Sequence, residues 1–307
     1  VPVAQVTSGL VVVNTQAGDD EVRAETLSDV MLSVSGGAGS DTLIGGMCPD
    51  TLEGGTGNDN LAGGGGRDSL SGGDGDDTLN GGGSSGDSVR GGAGDDVLNG
   101  GSGTDLLVEQ NDADFTLTAT GNTGQLIGHG TDFLINLEQA DITGGDSSNV
   151  LNASGFTSSV LSVTLRGGDG NDSLLGTTGP DGMFGDGGDD TLIGGEGNDD
   201  QYAGAGKDLV NGGLGDDTVR GQGSSGDTIT GGPGNDRLDG GNGTDFLRED
   251  LSAATSLVAR NVSMTGLGTD VVRRIERLFI NGSPGNDVID ASEFVSAFVS
   301  IINGGDG

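Results

Sequence analysis

The chain has 307 residues, of which 67 are glycine, with no tryptophan, one tyrosine and 31% hydrophobic side chains, a composition that excludes a conventional thick apolar core. Its formal net charge of -36, with 12 Lys and Arg residues in all, excludes nucleic acid as a partner, because a phosphate backbone needs a basic face. The same charge disfavours anionic membranes, and no apolar run reaches the length of about 18 residues that a spanning helix needs, so direct membrane insertion is not expected.

Residues 1–35 read as a β segment that ends a preceding period of a larger repeat. The opening Val1-Pro2-Val3-Ala4 lacks the charged and apolar regions of a signal peptide. Within the segment, Ala17-Gly18-Asp19-Asp20-Glu21-Val22-Arg23-Ala24 resembles the stretch that precedes a later array.

Residues 36–108 form the first of two arrays of the nine-residue unit Gly-Gly-x-Gly-x-Asp-x-U-x, where U is a bulky aliphatic residue. One clean copy is Gly72-Gly73-Asp74-Gly75-Asp76-Asp77-Thr78-Leu79-Asn80. The first six positions are turn-formers and the last three can extend, so each unit gives one turn and one short strand. Side chains alternate along a strand, which puts the eighth residue inward, as for Leu43, Leu52, Leu61 and Leu70, and the seventh and ninth outward. Two units close one coil of about 18 residues, and coils stack at about 4.8 Å through parallel backbone hydrogen bonds. Asp41, Asp59 and Asp77 then line one edge and Asp50 and Asp68 the other. The ten-residue unit containing Gly83-Ser84-Ser85-Gly86-Asp87 is expected to perturb that register. Cys48, the only cysteine, replaces a turn glycine and is read as a tolerated substitution; a single cysteine allows no intramolecular disulfide.

Residues 109–166 read as a connecting β segment, with short strands expected at Phe115-Thr116-Leu117-Thr118-Ala119-Thr120, at Gln125-Leu126-Ile127-Gly128 and at Val160-Leu161-Ser162-Val163-Thr164-Leu165. Residues 167–248 carry the second array, which repeats the ten-residue unit at Gly223-Ser224-Ser225-Gly226-Asp227. There Gln201 breaks the aliphatic row and marks an irregularity, while Asp186 and Ala203 stand at glycine positions and weaken single turns. Residues 249–303 form a second connecting β segment, and 304–307 begin a further array. Gly103-Thr104-Asp105 recurs as Gly243-Thr244-Asp245, Gly130-Thr131-Asp132 with Glu138 recurs as Gly268-Thr269-Asp270 with Glu276, and Asn149-Val150-Leu151 recurs as Asp287-Val288-Ile289 with a small shift. This larger period of about 137 residues reads as a portion of a longer tandem protein.

Asp occupies the sixth position in all seventeen units. A disordered acidic tail has no reason to keep that register. Stacked carboxylates and exposed glycine carbonyls suit a hard cation; calcium accepts six to eight oxygens with loose geometry, roughly 2.3 to 2.6 Å away, whereas magnesium demands a stricter octahedron. Zinc is disfavoured, since its usual ligands are represented by His129 and Cys48 alone. About a dozen or more calcium ions would cancel most of the negative charge, and without them the stacked carboxylates should keep the chain unfolded or molten, so binding and folding would be one event.

The units resemble the hemolysin-type calcium-binding nonapeptide of repeats-in-toxin (RTX) proteins, and the segments Gly130-Thr131-Asp132 and Gly268-Thr269-Asp270-Val271-Val272-Arg273-Arg274-Ile275-Glu276 are similar to sequences found between such arrays. The resemblance implies an all-β fold, a right-handed parallel β-roll or β-helix solenoid whose connecting segments continue it, formed in extracellular calcium. It implies that the calcium ligands are Asp41, Asp50, Asp59, Asp68, Asp77, Asp87, Asp96 and Asp105, then Asp172, Asp181, Asp190, Asp199, Asp208, Asp217, Asp227, Asp236 and Asp245, with the glycine-rich turns supplying carbonyls. Asp20 and Asp287 join the set from the flanking segments.

Catalysis finds no support in the sequence. His-Glu-x-x-His is absent, and Gly82-Gly83-Ser84-Ser85-Gly86 matches a nucleophile elbow only by falling inside a repeat. Carboxylate pairs such as Asp76-Asp77 follow the repeat period, which favours a ligand role over acid/base work. Outward Thr and Asn rows that could form an ice-binding face are missing. The expected function is a calcium-binding structural segment of a long extracellular or cell-surface protein, a fibre, surface layer or adhesin stalk that self-associates or continues in tandem. The alternative is the calcium-folding, secretion-assisting region of a larger exported enzyme or toxin.

Overall fold

The computed structural model describes residues 9–83, 85–156, 162–250, 256–260, 264–265, 269–281, 288–293 and 301–303. Every regular element among them is a β-strand; with no helix present, none is long and apolar enough to cross a membrane. The chain divides into two compact units, the first built mainly on residues 1–142 and the second mainly on residues 143–307.

In the first unit the chain winds back and forth between two parallel sheets. One sheet runs through Gly9–Asn14, Val30–Ala38, Thr51–Thr56, Ser69–Asp74, Ser88–Ala93 and Leu106–Gln110. Its partner runs through Glu21–Arg23, Thr42–Ile44, Asn60–Gly64, Thr78–Gly82, Val97–Gly101 and Thr131–Ile135. Two nonapeptides thus make one coil of a β-solenoid, and coil lies on coil with Leu43, Leu61 and Leu79 in register. These side chains, with Leu98 above them, are sealed from solvent. A coil buries only two such aliphatic residues, so the core is a thin double column.

The connecting segment departs from a purely parallel continuation. Phe115–Thr120 and Thr123–Ile127 pair antiparallel, and Thr123–Ile127 pairs antiparallel with Thr131–Ile135, which alone returns parallel to Val97–Gly101. The connector is therefore a three-stranded excursion from the coil path. Two of the strands expected from the sequence sit in it, at Phe115–Thr120 and Thr123–Ile127. The third begins at Val163, and residues 160–161 lie outside the described residues.

The second unit repeats this plan. Val163–Asp169, Gly182–Gly187, Asp200–Ala205, Thr218–Gln222, Arg237–Asp239 and Thr269–Arg273 make one parallel sheet. Ser173–Leu175, Thr191–Glu196, Leu209–Leu214, Thr228–Thr230, Phe246–Asp250 and Arg277–Asn281 belong to the other. Ser256–Arg260, Met264–Thr265 and Thr269–Arg273 form the matching antiparallel excursion.

Two sequence expectations need correction. Gln201 does not break the register: it pairs with Met183 and Val219, is fully buried, and donates its Nε2 to the Asn211 carbonyl at 3.0 Å, while its Oε1 is buried without a hydrogen-bond partner. The ten-residue units do not disturb the ladder either, because the extra residue is absorbed in the turn; Ser69 still pairs with Ser88 and Leu209 with Thr228.

The close stacking explains the glycine content at its tightest points. Gly55 has φ +122°, and a Cβ there would stand 2.0 Å from the Gly37 carbonyl oxygen, so an L side chain is barred both by conformation and by the coil below.

Candidate metal centre

The turns gather the sixth-position carboxylates into two ladders per unit. In the first unit the Asp41 N–H donates to Asp59 Oδ1 at 2.7 Å, Asp59 to Asp77 at 2.7 Å and Asp77 to Asp96 at 2.8 Å. On the opposite edge Asp50 donates to Asp68 at 2.8 Å, Asp68 to Asp87 at 2.8 Å and Asp87 to Asp105 at 2.7 Å. The second unit links Asp172, Asp190, Asp208, Asp227 and Asp245 in the same way, and Asp181, Asp199, Asp217 and Asp236 on its other edge. All seventeen side chains are buried. Asp20 joins the first ladder through its N–H to Asp41 Oδ1 at 2.8 Å, whereas Asp287 lies outside the described residues.

One oxygen of each carboxylate is thus spent on the backbone of the preceding coil. The other is not: Oδ2 of Asp41, Asp59, Asp68, Asp77, Asp87, Asp96 and Asp105 is buried without a hydrogen-bond partner, as is Oδ2 of Asp172, Asp190, Asp199, Asp208, Asp217, Asp227, Asp236 and Asp245. A buried, unpaired carboxylate oxygen is strongly unfavourable unless a proton or a cation meets it. Burial pushes Asp68 and Asp77 up to about 7, and the carboxylates stacked on either side add to the rise. Asp190, Asp199, Asp227 and Asp236 are raised to about 7 for the same reasons.

The orphaned oxygens face a space built for a small ligand. A Cβ on Gly36, the first residue of its unit, would stand 2.2 Å from Asp41 Oδ2 and 2.7 Å from the Gly54 carbonyl oxygen. Gly54 stands in the same relation to Asp59 and the Gly72 carbonyl, and Gly72 to Asp77 and the Gly91 carbonyl. First-position glycine therefore keeps open a cradle in which a carboxylate and the carbonyl of the next coil converge. Among the described residues no three His, Cys, Asp or Glu side chains group closely enough to hold an ion alone, so backbone oxygens must complete any coordination shell. Oxygen-only donors of mixed charge fit calcium.

Two of the expected ligands differ. Asp50 Oδ2 accepts the Gly46 N–H at 2.7 Å, and Asp181 Oδ2 accepts both the N–H of Thr177 at 2.5 Å and its hydroxyl at 3.0 Å. Regular turns place their second and fourth residues at positive φ, as in Gly37 and Gly39, but no residue of 45–48 or 176–179 does so. Cys48 at the fourth position and Thr177 at the second disfavour that conformation, and Pro49 and Pro180 restrict the residue before them to extended backbone. Each of these turns folds onto its own carboxylate instead. Ala203, fully buried at a first position, places a methyl group where the other cradles are open, and Asp208 is the carboxylate beside it.

The sequence reading missed the residues that close each ladder. The Asp96 N–H donates to Asp132 Oδ1 at 3.1 Å and the Asp105 N–H to Glu138 Oε2 at 2.9 Å; in the second unit Asp236 donates to Asp270 at 3.1 Å and Asp245 to Glu276 at 2.9 Å. The repeated Gly-Thr-Asp of residues 103–105 and 130–132 was the available signal, since it places Asp132 where Asp105 ends a turn. Asn149 takes the opening position in the second unit, its N–H bonded to Asp172 Oδ1 at 2.7 Å.

A sequence profile of the RTX calcium-binding nonapeptide repeat matches residues 33–61, 53–86, 81–108, 166–201, 202–219, 222–248 and 279–293, more than half of the chain. No curated protein matches it. Among solved structures, the extracellular lipase LipA from Serratia marcescens is similar at 18% identity and a TM-score of 0.20, over 73% of this chain and 37% of that one. The chain thus spans little more than a third of that lipase.

Proposed function

The chain belongs to the family of RTX calcium-binding nonapeptide repeat proteins, and from that membership we propose that it is a calcium-ordered structural segment of a long extracellular or cell-surface protein. Its nonapeptide repeats bind calcium. The observation that carries the reading is the orphaned Oδ2 of fifteen sixth-position aspartates, most of them beside a first-position glycine where a backbone carbonyl converges as well. A bound calcium supplies positive charge and accepts these oxygens as ligands. The residues hold the coil geometry that presents them.

The arrays at residues 36–108 and 167–248 are the calcium-loaded parts under this proposal, with 109–166 and 249–303 as connectors. Both units close their ladders with the same Asp and Glu pair and carry the same antiparallel excursion. Repetition of a whole unit, connector included, favours a load-carrying or spacing role along a tandem protein over a single catalytic site. Extracellular calcium, which modules with dissociation constants of roughly 0.1 to 1 mM exploit, would fold the segment after export.

Far-UV circular dichroism of the chain during a calcium titration tests the reading. Strand signal is expected to rise cooperatively with calcium. Full strand signal in excess chelator would overturn coupled folding.

A further inference from the structure

At the end of each array the cradle changes chemistry. The last regular unit of the first unit's Asp41 edge begins at Gly91, where a Cβ would stand 2.3 Å from Asp96 Oδ2. The carbonyl oxygen found 2.7 Å from the equivalent point at Gly36, Gly54 and Gly72 is missing, since no atom beyond the Asp96 side chain comes within 3.2 Å. The next coil carries Glu109 in place of a first-position glycine. Its side chain is buried, and its Oε1 accepts the Gly91 N–H at 2.8 Å. Asp96 Oδ2 is buried and has no partner, while its N–H is held by Asp132.

The second unit repeats the arrangement. Glu249 is buried and accepts the Gly231 N–H at 3.1 Å; a Cβ on Gly231 would stand 2.5 Å from Asp236 Oδ2, and the Asp236 N–H donates to Asp270. Around Glu109 the nearest cationic group is Arg90, 4.0 Å away with an exposed side chain, which leaves most of its charge in water. Asp96 Oδ2 and Glu109 Oε1 thus approach the same glycine, Gly91, from successive coils, and Glu109 accepts the Gly92 N–H as well.

We propose that each array ends in a divalent cation site distinct from the repeats, in which Asp96 with Glu109, and Asp236 with Glu249, supply two carboxylates where a regular cradle offers one carboxylate and a carbonyl. Asp132 and Asp270 add negative field. The extra charge favours a hard cation of the calcium class and makes the terminal site the tighter one, as affinity in oxygen-ligand sites rises with ligand charge. The inference rests on the reading that the regular cradles hold calcium.

The full chain tests it, with calcium as the probe. Bound calcium is counted by equilibrium dialysis at saturation for the wild type, for the double variant Glu109→Gln and Glu249→Gln, and for Asp77→Asn. Glutamine keeps the length and an oxygen for the Gly91 N–H, so the coil should survive, and circular dichroism in saturating calcium checks this. The double variant should bind two fewer calcium ions. An unchanged count would overturn the terminal sites while leaving the regular ones standing, provided Asp77→Asn loses calcium; no calcium bound by the wild type would sink both readings. A crystal grown in calcium gives a second measurement independent of folding in the variants. An ion coordinated by both Asp96 and Glu109 is expected there, and Glu109 seated on Gly91 with no ion beside it would refute the proposal.

Discussion

Asp59 and Asp77 stand one coil apart, and the backbone N–H of the first donates to Oδ1 of the second at 2.7 Å while Asp77 Oδ2 is left buried without a partner. The same carboxylate thus fastens two coils with one oxygen and offers the other to a ligand. Structure and binding are coupled through a single side chain.

That coupling sets the role of first-position glycine. Gly72→Ala would put a methyl carbon 2.2 Å from Asp77 Oδ2 and should weaken calcium binding at that coil. Ala203→Gly makes the opposite change beside Asp208 and should tighten it, by about 1.4 kcal/mol if the affinity gain is tenfold. Calorimetric titration of the two variants against wild type checks the pair, and equal affinities would refute the cradle.

The turns of Asp50 and Asp181 should behave unlike their neighbours. Their second oxygens are already occupied by Gly46 and Thr177. Asp50→Ala is expected to destabilise by about 1 to 3 kcal/mol, the cost of leaving buried donors unmatched, with little change in the number of calcium ions bound. Asp59→Ala should instead lower that number. Denaturant melts and dialysis on both variants separate the two effects.

Backbone strain offers a third test. Asp186 at φ +67° and Gln222 at φ +69° occupy second positions that elsewhere, Thr177 apart, are glycine. Gln222→Gly should relieve about 1 kcal/mol of left-handed strain, visible as a higher melting temperature in saturating calcium. A lower melting temperature would show that the side chain stabilises more than the strain costs.

Acidity should act in opposite directions with and without calcium. Asp68 and Asp77 are raised by burial to about 7 in the folded chain, above the value near 4 of an unfolded aspartate. The folded state then binds more protons than the unfolded state between about pH 4 and 7, so stability without calcium falls as pH rises through that window. Apparent calcium affinity should rise over the same range, because protons leave the oxygens that calcium needs. Chelator-treated protein followed by circular dichroism from pH 4 to 8 should lose strand content; a gain on raising the pH would contradict the assignment.

The coil, its aliphatic column and both Asp ladders were legible in the sequence because each depends on a strict nine-residue spacing, as the row Leu43, Leu61 and Leu79 shows. The antiparallel excursions were not. The strands at Phe115–Thr120 and Thr123–Ile127 are visible as alternation, but their pairing depends on a turn at residues 121–122 and on Thr131–Ile135 returning beside Val97–Gly101. Local pattern carries no record of that long-range choice. The closure of Asp50 and Asp181 was hidden for a different reason: Pro49 and Pro180 were visible, but the hydrogen bond that replaces an open cradle is a property of the folded turn. The register at Gln201 was misread because a polar residue at an inward position can place its amide N–H on a carbonyl that only the fold brings near.

The ten-residue units at 81–90 and 221–230 keep Asp68 bonded to Asp87 and Asp208 bonded to Asp227 although 19 residues separate each pair. The pitch of the coil is therefore set by its stacked edges and not by counting residues. Such a turn behaves as slack in an otherwise taut winding, and it marks the surface points at which a foreign peptide could be spliced into the solenoid while the rungs on either side stay aligned.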